Sequence, residues 1–221
     1  MLFNFYVVKS FKGLKLFSIV LLIFGSTLIY GQTWYLPVDA TNRQFINNIQ
    51  LTHIGDFGHT RQERPLVKAH LHTGVDIMRP NKNYDNEKIY PACVGLVISI
   101  RTDGPYAEII LEHRISDNKK IWTVYQHLSR ILVKPGQVVY PEQAMAFFMT
   151  KTELNKYGWQ FDHVHFEIMK YQPLKLTPYK QNPQRKFGTY SLVCYNRNDL
   201  EKYYFAPLEF LAKKFSGRNE D

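Results

Sequence analysis

"HVHFEI", residues 163–168, sets two imidazoles one residue apart in a run that otherwise favours a β-strand. Successive side chains on a strand alternate faces, so His163 and His165 project to one side while Val164 and Phe166 project to the other. Two imidazoles about 7 Å apart over an apolar backing are what a metal site on a sheet requires. A lone H-x-H is equally compatible with two histidines lining a polar sheet face, so the reading turns on what the rest of the chain supplies.

Upstream, "HLHTGVDI" at 70–77 places His72 and Asp76 four residues apart around Gly74, with Val75 and Ile77 flanking the carboxylate. A glycine there lets the backbone turn so that imidazole and carboxylate converge. Two nitrogens and one oxygen form a zinc ligand set of the catalytic type, with the fourth position left for water. The bland alternatives are a turn or N-cap aspartate at Asp76 and a satisfied loop histidine at His72. Spacing alone leaves open whether His163 or His165 would hold the metal. "YQHL" at 125–128 adds His127, so His70, His72, His127, His163 and His165 fall in three short, strand-flanked motifs. His53 and His59 read as surface or loop residues, and His113 in "LEHR" as structural or close behind the site.

The composition suits one folded domain: 221 residues, 45% apolar and 15% aromatic. At the N-terminus Lys9, Lys12 and Lys15 precede an apolar stretch from Leu16 to Tyr30, the arrangement of a secretory signal. That stretch is short of the roughly 20 residues of a spanning helix. Residues 1–31 are therefore expected to be a signal peptide or a retained membrane anchor, with the remainder in an extracytoplasmic space: periplasm, cell envelope or secreted. Formal charge is +9; residues 1–31 carry three lysines and no acids, so the rest is +6. A basic exported domain suits an anionic polymer such as a cell wall, and export together with the lack of a basic recognition helix disfavours nucleic acid. Cys93 and Cys194 would be permitted a bridge in an oxidising compartment; two separately buried thiols are the alternative.

Residues 32–68 read as an extended lead-in with short strands and a long turn. From His70 the chain breaks into short pieces rich in Val, Ile, Phe and Tyr, bounded by Gly, Pro, Asp or Asn, which predicts a mostly β, antiparallel domain. "SDNKK" (116–120) is a hairpin turn, "KPGQ" (134–137) a tight turn, and "PEQAMAFFMTKTEL" holds some helix. After Lys170 the polar, Pro-rich "YQPLKLTPYKQNPQRKFG" resembles a surface excursion, and "APLEFLAKKF" (206–215) predicts a short helix packed on the domain. The resulting division is 1–31 signal or anchor, 32–68 lead-in, 69–170 catalytic domain and 171–221 C-terminal extension.

Taken together, H-x-x-x-D at His72–Asp76, Y-x-H-L at Tyr125–Leu128 and H-x-H-F-E at His163–Glu167 resemble the M23 peptidases, the zinc metallopeptidases of LytM and lysostaphin type. The likeness covers about residues 68–170, including "GLV" at 95–97 and "VKPGQVV" at 133–139. It implies a small antiparallel β-fold with the site in a groove over the sheet, and an exported endopeptidase that cuts peptide links in peptidoglycan. It also implies Zn2+ held by His72, Asp76 and His165, with His127 and His163 unliganded at the reacting centre. No H-E-x-x-H is present, so imidazole takes the place of a glutamate base. His163 is the expected general base, His127 the expected stabiliser or proton donor, and Glu167 shares their face, where it can orient an imidazole.

This chain departs from the family pattern in three places. The Gly-rich stretch expected before H-x-H is replaced by "KTELNKYGWQFDHVHF", with bulky Trp159 and Phe161; Pro141 stands where a glycine is usual; and "RPNKNYDNEK" lengthens a loop after Asp76. These bear on which peptide is cut rather than on the metal. The competing readings are an inactive member of the same fold that binds wall polymer or activates an amidase partner, and a purely structural envelope domain.

Overall fold

In the computed structural model, which describes residues 32–116 and 118–216, the β-favouring pieces do form strands. They are β1 (Thr60–Arg61), β2 (His70–Leu71), β3 (Val75–Met78), β4 (Lys88–Ile89), β5 (Gly95–Arg101), β6 (Glu108–Ser116) and β7 (Lys119–Gln126). There follow β8 (Leu128–Ser129), β9 (Val138–Val139), β10 (Ala146–Phe148), β11 (His163–Met169), β12 (Leu174–Lys175), β13 (Phe187–Gly188) and β14 (Tyr204–Phe205). Three α-helices accompany them: α1 (Lys151–Tyr157), α2 (Arg197–Tyr203) and α3 (Pro207–Ser216). The main sheet runs β14-β11-β7-β6-β5-β9, with β3 pairing β11, and every pairing is antiparallel. The expected signal or anchor at 1–31 lies outside the described residues; among those described, no helix is long and apolar enough to cross a membrane.

Turn chemistry sets the registers. Ser116 faces Lys119 across the β6–β7 hairpin, where "SDNKK" predicts the turn. In "KPGQ", Gly136 takes φ +87°, a backbone conformation that costs glycine little, and Gln137 N–H closes the turn onto the Lys134 carbonyl. Helix α1 begins on a capping box in which Thr150 and Glu153 exchange hydrogen bonds.

Alternation along the strands gives the sheet two different faces. One carries Val75, Ile77, Ile109, Leu111, Tyr125, Val164 and Phe166 into the main core. The lead-in completes that core with Trp34, Leu36 and Val38, and Arg43 pins it by donating to the carbonyls of Leu36, Pro91 and Pro141. Helix α3 adds Leu211. The opposite face bears the polar motifs at one end and Ile110, Trp122, Val124 and Met169 at the other. An apolar half-face needs a cover, and the chain after Lys170 provides it: Cys194, Leu200 and Tyr204 are buried there, and Leu71 N–H donates to the Cys194 carbonyl at 2.8 Å. Within it, residues 171–188 run mostly exposed, as a surface excursion would, with Asn182 buried and accepting from Thr102 N–H. Cys93 and Cys194 are both free and sit on opposite faces of the sheet, where burial pushes each thiol up to about 12.

His113 belongs to this architecture. It is buried on the main-core side, its Nδ1 donating to the Val94 carbonyl (2.8 Å) and its Nε2 paired with Thr123 Oγ1 (2.7 Å). Burial lowers its pKa to about 4. The unfolded chain takes up this proton near pH 6.5 while the folded one resists until about 4, so folding stability falls as pH drops through that window, by on the order of 3 kcal/mol from this group. Urea denaturation of chelator-treated protein between pH 7 and 4 checks this: H113F is expected to lose distinctly less stability across the window than the parent.

Candidate metal centre

The register of β3 against β11 builds the centre. Asp76 stands directly opposite His165, and His163 opposite Met78. Opposed residues share a face with Cβ atoms about 5 Å apart, so a carboxylate and an imidazole are brought together by backbone pairing before any side-chain contact is considered. His72 enters from the link between β2 and β3. Gly74 in that link has no unusual φ; its need is closeness, because a Cβ there would strike the Phe166 carbonyl. The expected turn is thus a tight packing of β3 on β11.

Three donor atoms converge. His72 Nε2 lies 3.0 Å from Asp76 Oδ1, His165 Nδ1 lies 2.9 Å from the same oxygen, and the two nitrogens are 2.9 Å apart. The outer nitrogen of each ring is spoken for: His72 Nδ1 donates to the Asp56 carbonyl (2.9 Å) and His165 Nε2 to Glu167 Oε1 (2.9 Å). Both imidazoles therefore present lone pairs inward, toward a carboxylate oxygen. A tetrahedral zinc with bonds of about 2.0–2.1 Å would hold its donors about 3.3 Å apart, so donor type, tautomer and spacing all fit such an ion.

Electrostatics agree. Burial opposes ionisation of Asp76, yet its close contacts with the His163, His165 and His72 rings outweigh it and hold the carboxyl well below its usual range. Burial likewise disfavours a charged His165, but Asp76 and Glu167 prevail and raise it to about 9. His72 is lowered, chiefly by burial. The cluster thus demands positive charge at its centre, as a proton or as a cation.

His127 and His163 stand at the edge of this group, their ring centroids 4.8 Å apart. His127 adopts φ +64°, a strained conformation for a non-glycine residue and one that concentrates at functional sites. Its Nδ1 donates to the Pro105 carbonyl at 2.6 Å, which leaves the lone pair on Nε2; burial keeps the ring neutral by lowering its pKa well below 6.5. His163 Nε2 is 3.4 Å from Asp76 Oδ1, and its buried Nδ1 has no hydrogen-bond partner among the described residues.

Two of the three departures from the family pattern lie beside these rings. Helix α1 and the turn at Trp159–Phe161 replace the Gly-rich stretch and lay Phe161 against His127 (4.9 Å), with Tyr106 packed on both. The lengthened loop after Asp76 is tied down by Arg79, which pairs with Asp162 (2.8 Å) and donates to the Met149 carbonyl (2.5 Å). Of the remaining histidines, His70 is buried with Nδ1 on the Lys68 carbonyl, and His53 and His59 are exposed.

Sequence reasoning missed three contributors. Thr73 donates to Glu167 Oε1 at 2.5 Å, fixing the carboxylate that orients His165. Asp56 acts through its backbone carbonyl, which no side-chain pattern reveals. Arg61 Nη2 meets Asp76 Oδ2 at 2.5 Å from a short strand in the lead-in, where the spacing gives no periodic signal.

The family model of peptidase family M23 matches residues 51–179. Among solved structures, a zinc-containing peptidase from Vibrio cholerae is 26% identical, covering 62% of this chain and 37% of that one, with a TM-score of 0.41. The solution structure of lysostaphin is 18% identical over 76% of this chain and 52% of that one, TM-score 0.44. A chain of the SpoIIIAH–SpoIIQ complex is 22% identical over 62% and 92% respectively, TM-score 0.43. No curated protein matches the chain.

Because a Cβ at position 74 meets backbone that cannot swing aside, Gly74→Ala is expected to cost about 2–3 kcal/mol by prising β3 from β11. The shift in urea midpoint measures it.

Proposed function

Since the chain belongs to peptidase family M23, whose model matches more than half of its 221 residues, we propose that it is a zinc-dependent endopeptidase cutting peptide bonds of peptidoglycan outside the cytoplasm. The observation that carries this is the meeting of His72 Nε2, Asp76 Oδ1 and His165 Nδ1 within about 3 Å, beside a strained His127. In this reading His72, Asp76 and His165 hold the metal. Zinc, when bound, supplies Lewis-acid polarisation of the scissile carbonyl and activation of the attacking water.

The protein's own groups supply the proton movements. His127 is neutral with its lone pair on Nε2, so it takes the proton of the attacking water and, once charged, returns it to the leaving amine. His163, whose Nε2 faces the centre 3.4 Å from Asp76 Oδ1, donates from that nitrogen to the carbonyl oxygen as charge develops there. In this reading the general base is His127 rather than the His163 expected from sequence, since the Pro105 carbonyl leaves the His127 lone pair on Nε2. Glu167 and Thr73 hold the His165 ring in orientation. The functional unit starts earlier than residue 69, since Asp56 and Arg61 touch the centre. Phe161 and Tyr106 give the groove an aromatic wall beside His127, and the net positive charge suits an anionic wall polymer.

Digestion of purified peptidoglycan tests the activity. New amino groups without new reducing sugars, abolished by chelator and restored by zinc, are expected; release of sugar ends, or indifference to chelator, would rule the proposal out. His165→Ala is expected to lose bound zinc, read as metal content after dialysis, and full occupancy would refute the ligand set. His127→Ala is expected to retain zinc while turnover falls by about 100-fold or more.

A further inference from the structure

Asp76 gives its two oxygens to different partners. Oδ1 lies among the imidazoles, 3.0 Å from His72 Nε2, 2.9 Å from His165 Nδ1 and 3.4 Å from His163 Nε2. Oδ2 receives Arg61 Nη2 at 2.5 Å. The guanidinium is itself held: Nη1 donates to the Ile54 carbonyl at 3.0 Å, and β1 is paired with β2 so that Arg61 faces His70, two residues before His72. The same loop grips the Asp76 backbone, whose N–H donates to the Gly55 carbonyl and whose carbonyl accepts from Thr52 N–H. Both the side chain and the main chain of Asp76 are thus oriented by residues 52–61.

A carboxylate beside a metal ion binds through one oxygen or through both. Two-oxygen binding by Asp76, added to two imidazoles, would fill four positions from the protein alone, which is the closed pattern of a structural zinc site; a catalytic site keeps one position open. Resting on the metal centre proposed above, we propose that Arg61 is a positioning residue that occupies Oδ2, restricts Asp76 to one-oxygen binding and so keeps the fourth position free for water or substrate. A planar guanidinium anchored at two points suits this task, and its partial exposure, 19% of the side chain, places it at the margin of the site rather than inside it.

Cobalt substitution reads directly whether the fourth position is open to an added anion. The full-length parent, R61M, R61A and R61K are loaded with Co2+, and visible absorption per bound ion is recorded beside zinc affinity from chelator competition, with circular dichroism to confirm folding. Methionine keeps the length of arginine without its charge, alanine gives a second uncharged variant should R61M not fold, and lysine restores a cation able to reach one oxygen. Added thiocyanate is expected to change the visible absorption of the parent by taking the open position, and to leave that of the uncharged variants unchanged because both Asp76 oxygens close the shell, with R61K recovering the response. A parent-like response to thiocyanate in R61M or R61A overturns the proposal even if zinc affinity falls, because loss of affinity alone reports charge balance. Failure of the parent to bind Co2+ or Zn2+ overturns the metal centre itself, and this proposal with it.

Discussion

Three lone pairs face one another across about 3 Å at a buried point of this fold, two from imidazoles and one from a carboxylate. Such an arrangement is unfavourable unless positive charge lies at its centre, and its surroundings enforce it rather than relieve it. The Asp56 carbonyl and Glu167 fix the two ring tautomers, and Arg61 holds the far oxygen of Asp76. A demand for a cation is thus built into the hydrogen bonding, independently of any family likeness.

The rest of the architecture serves to hold that triangle. Pairing of β3 with β11 sets Asp76 opposite His165, and β11 is buried along its whole length because both faces of the sheet are covered. The main core covers one face. On the other, the C-terminal segment covers the apolar half, leaving the polar half for the centre. A row of polar residues continues across the strands from His165 through Gln126 and Glu108 to Arg101, so the site's floor extends beyond the three converging donors.

Period-two alternation in "HVHFEI", the turn residues of "SDNKK" and "KPGQ", and Pro207 at the head of the last helix made the strands, hairpins and helix legible, because these signals are local. The convergence of His72 and Asp76 with the H-x-H strand was legible for the same reason. What escaped was long-range or backbone-borne. Arg61 reaches Asp76 across 15 residues of irregular chain, the Pro105 carbonyl decides the His127 tautomer, and the Asp56 carbonyl decides that of His72. The polar stretch after Lys170 does lie at the surface, while the residues that cover the sheet, Cys194, Leu200 and Tyr204, lie beyond its end, where no pattern announced them. The cysteine question was settled by the sheet itself, whose opposite faces keep the two thiols apart.

The account's central claim is that His72, Asp76 and His165 share one ion with a position left open. Zinc-edge X-ray absorption of the purified, metal-replete protein tests this most directly. One zinc per chain is expected, in a four-coordinate shell of nitrogen and oxygen with the scattering of two imidazoles. Sulfur in that shell, or no stoichiometric zinc at all, would contradict it.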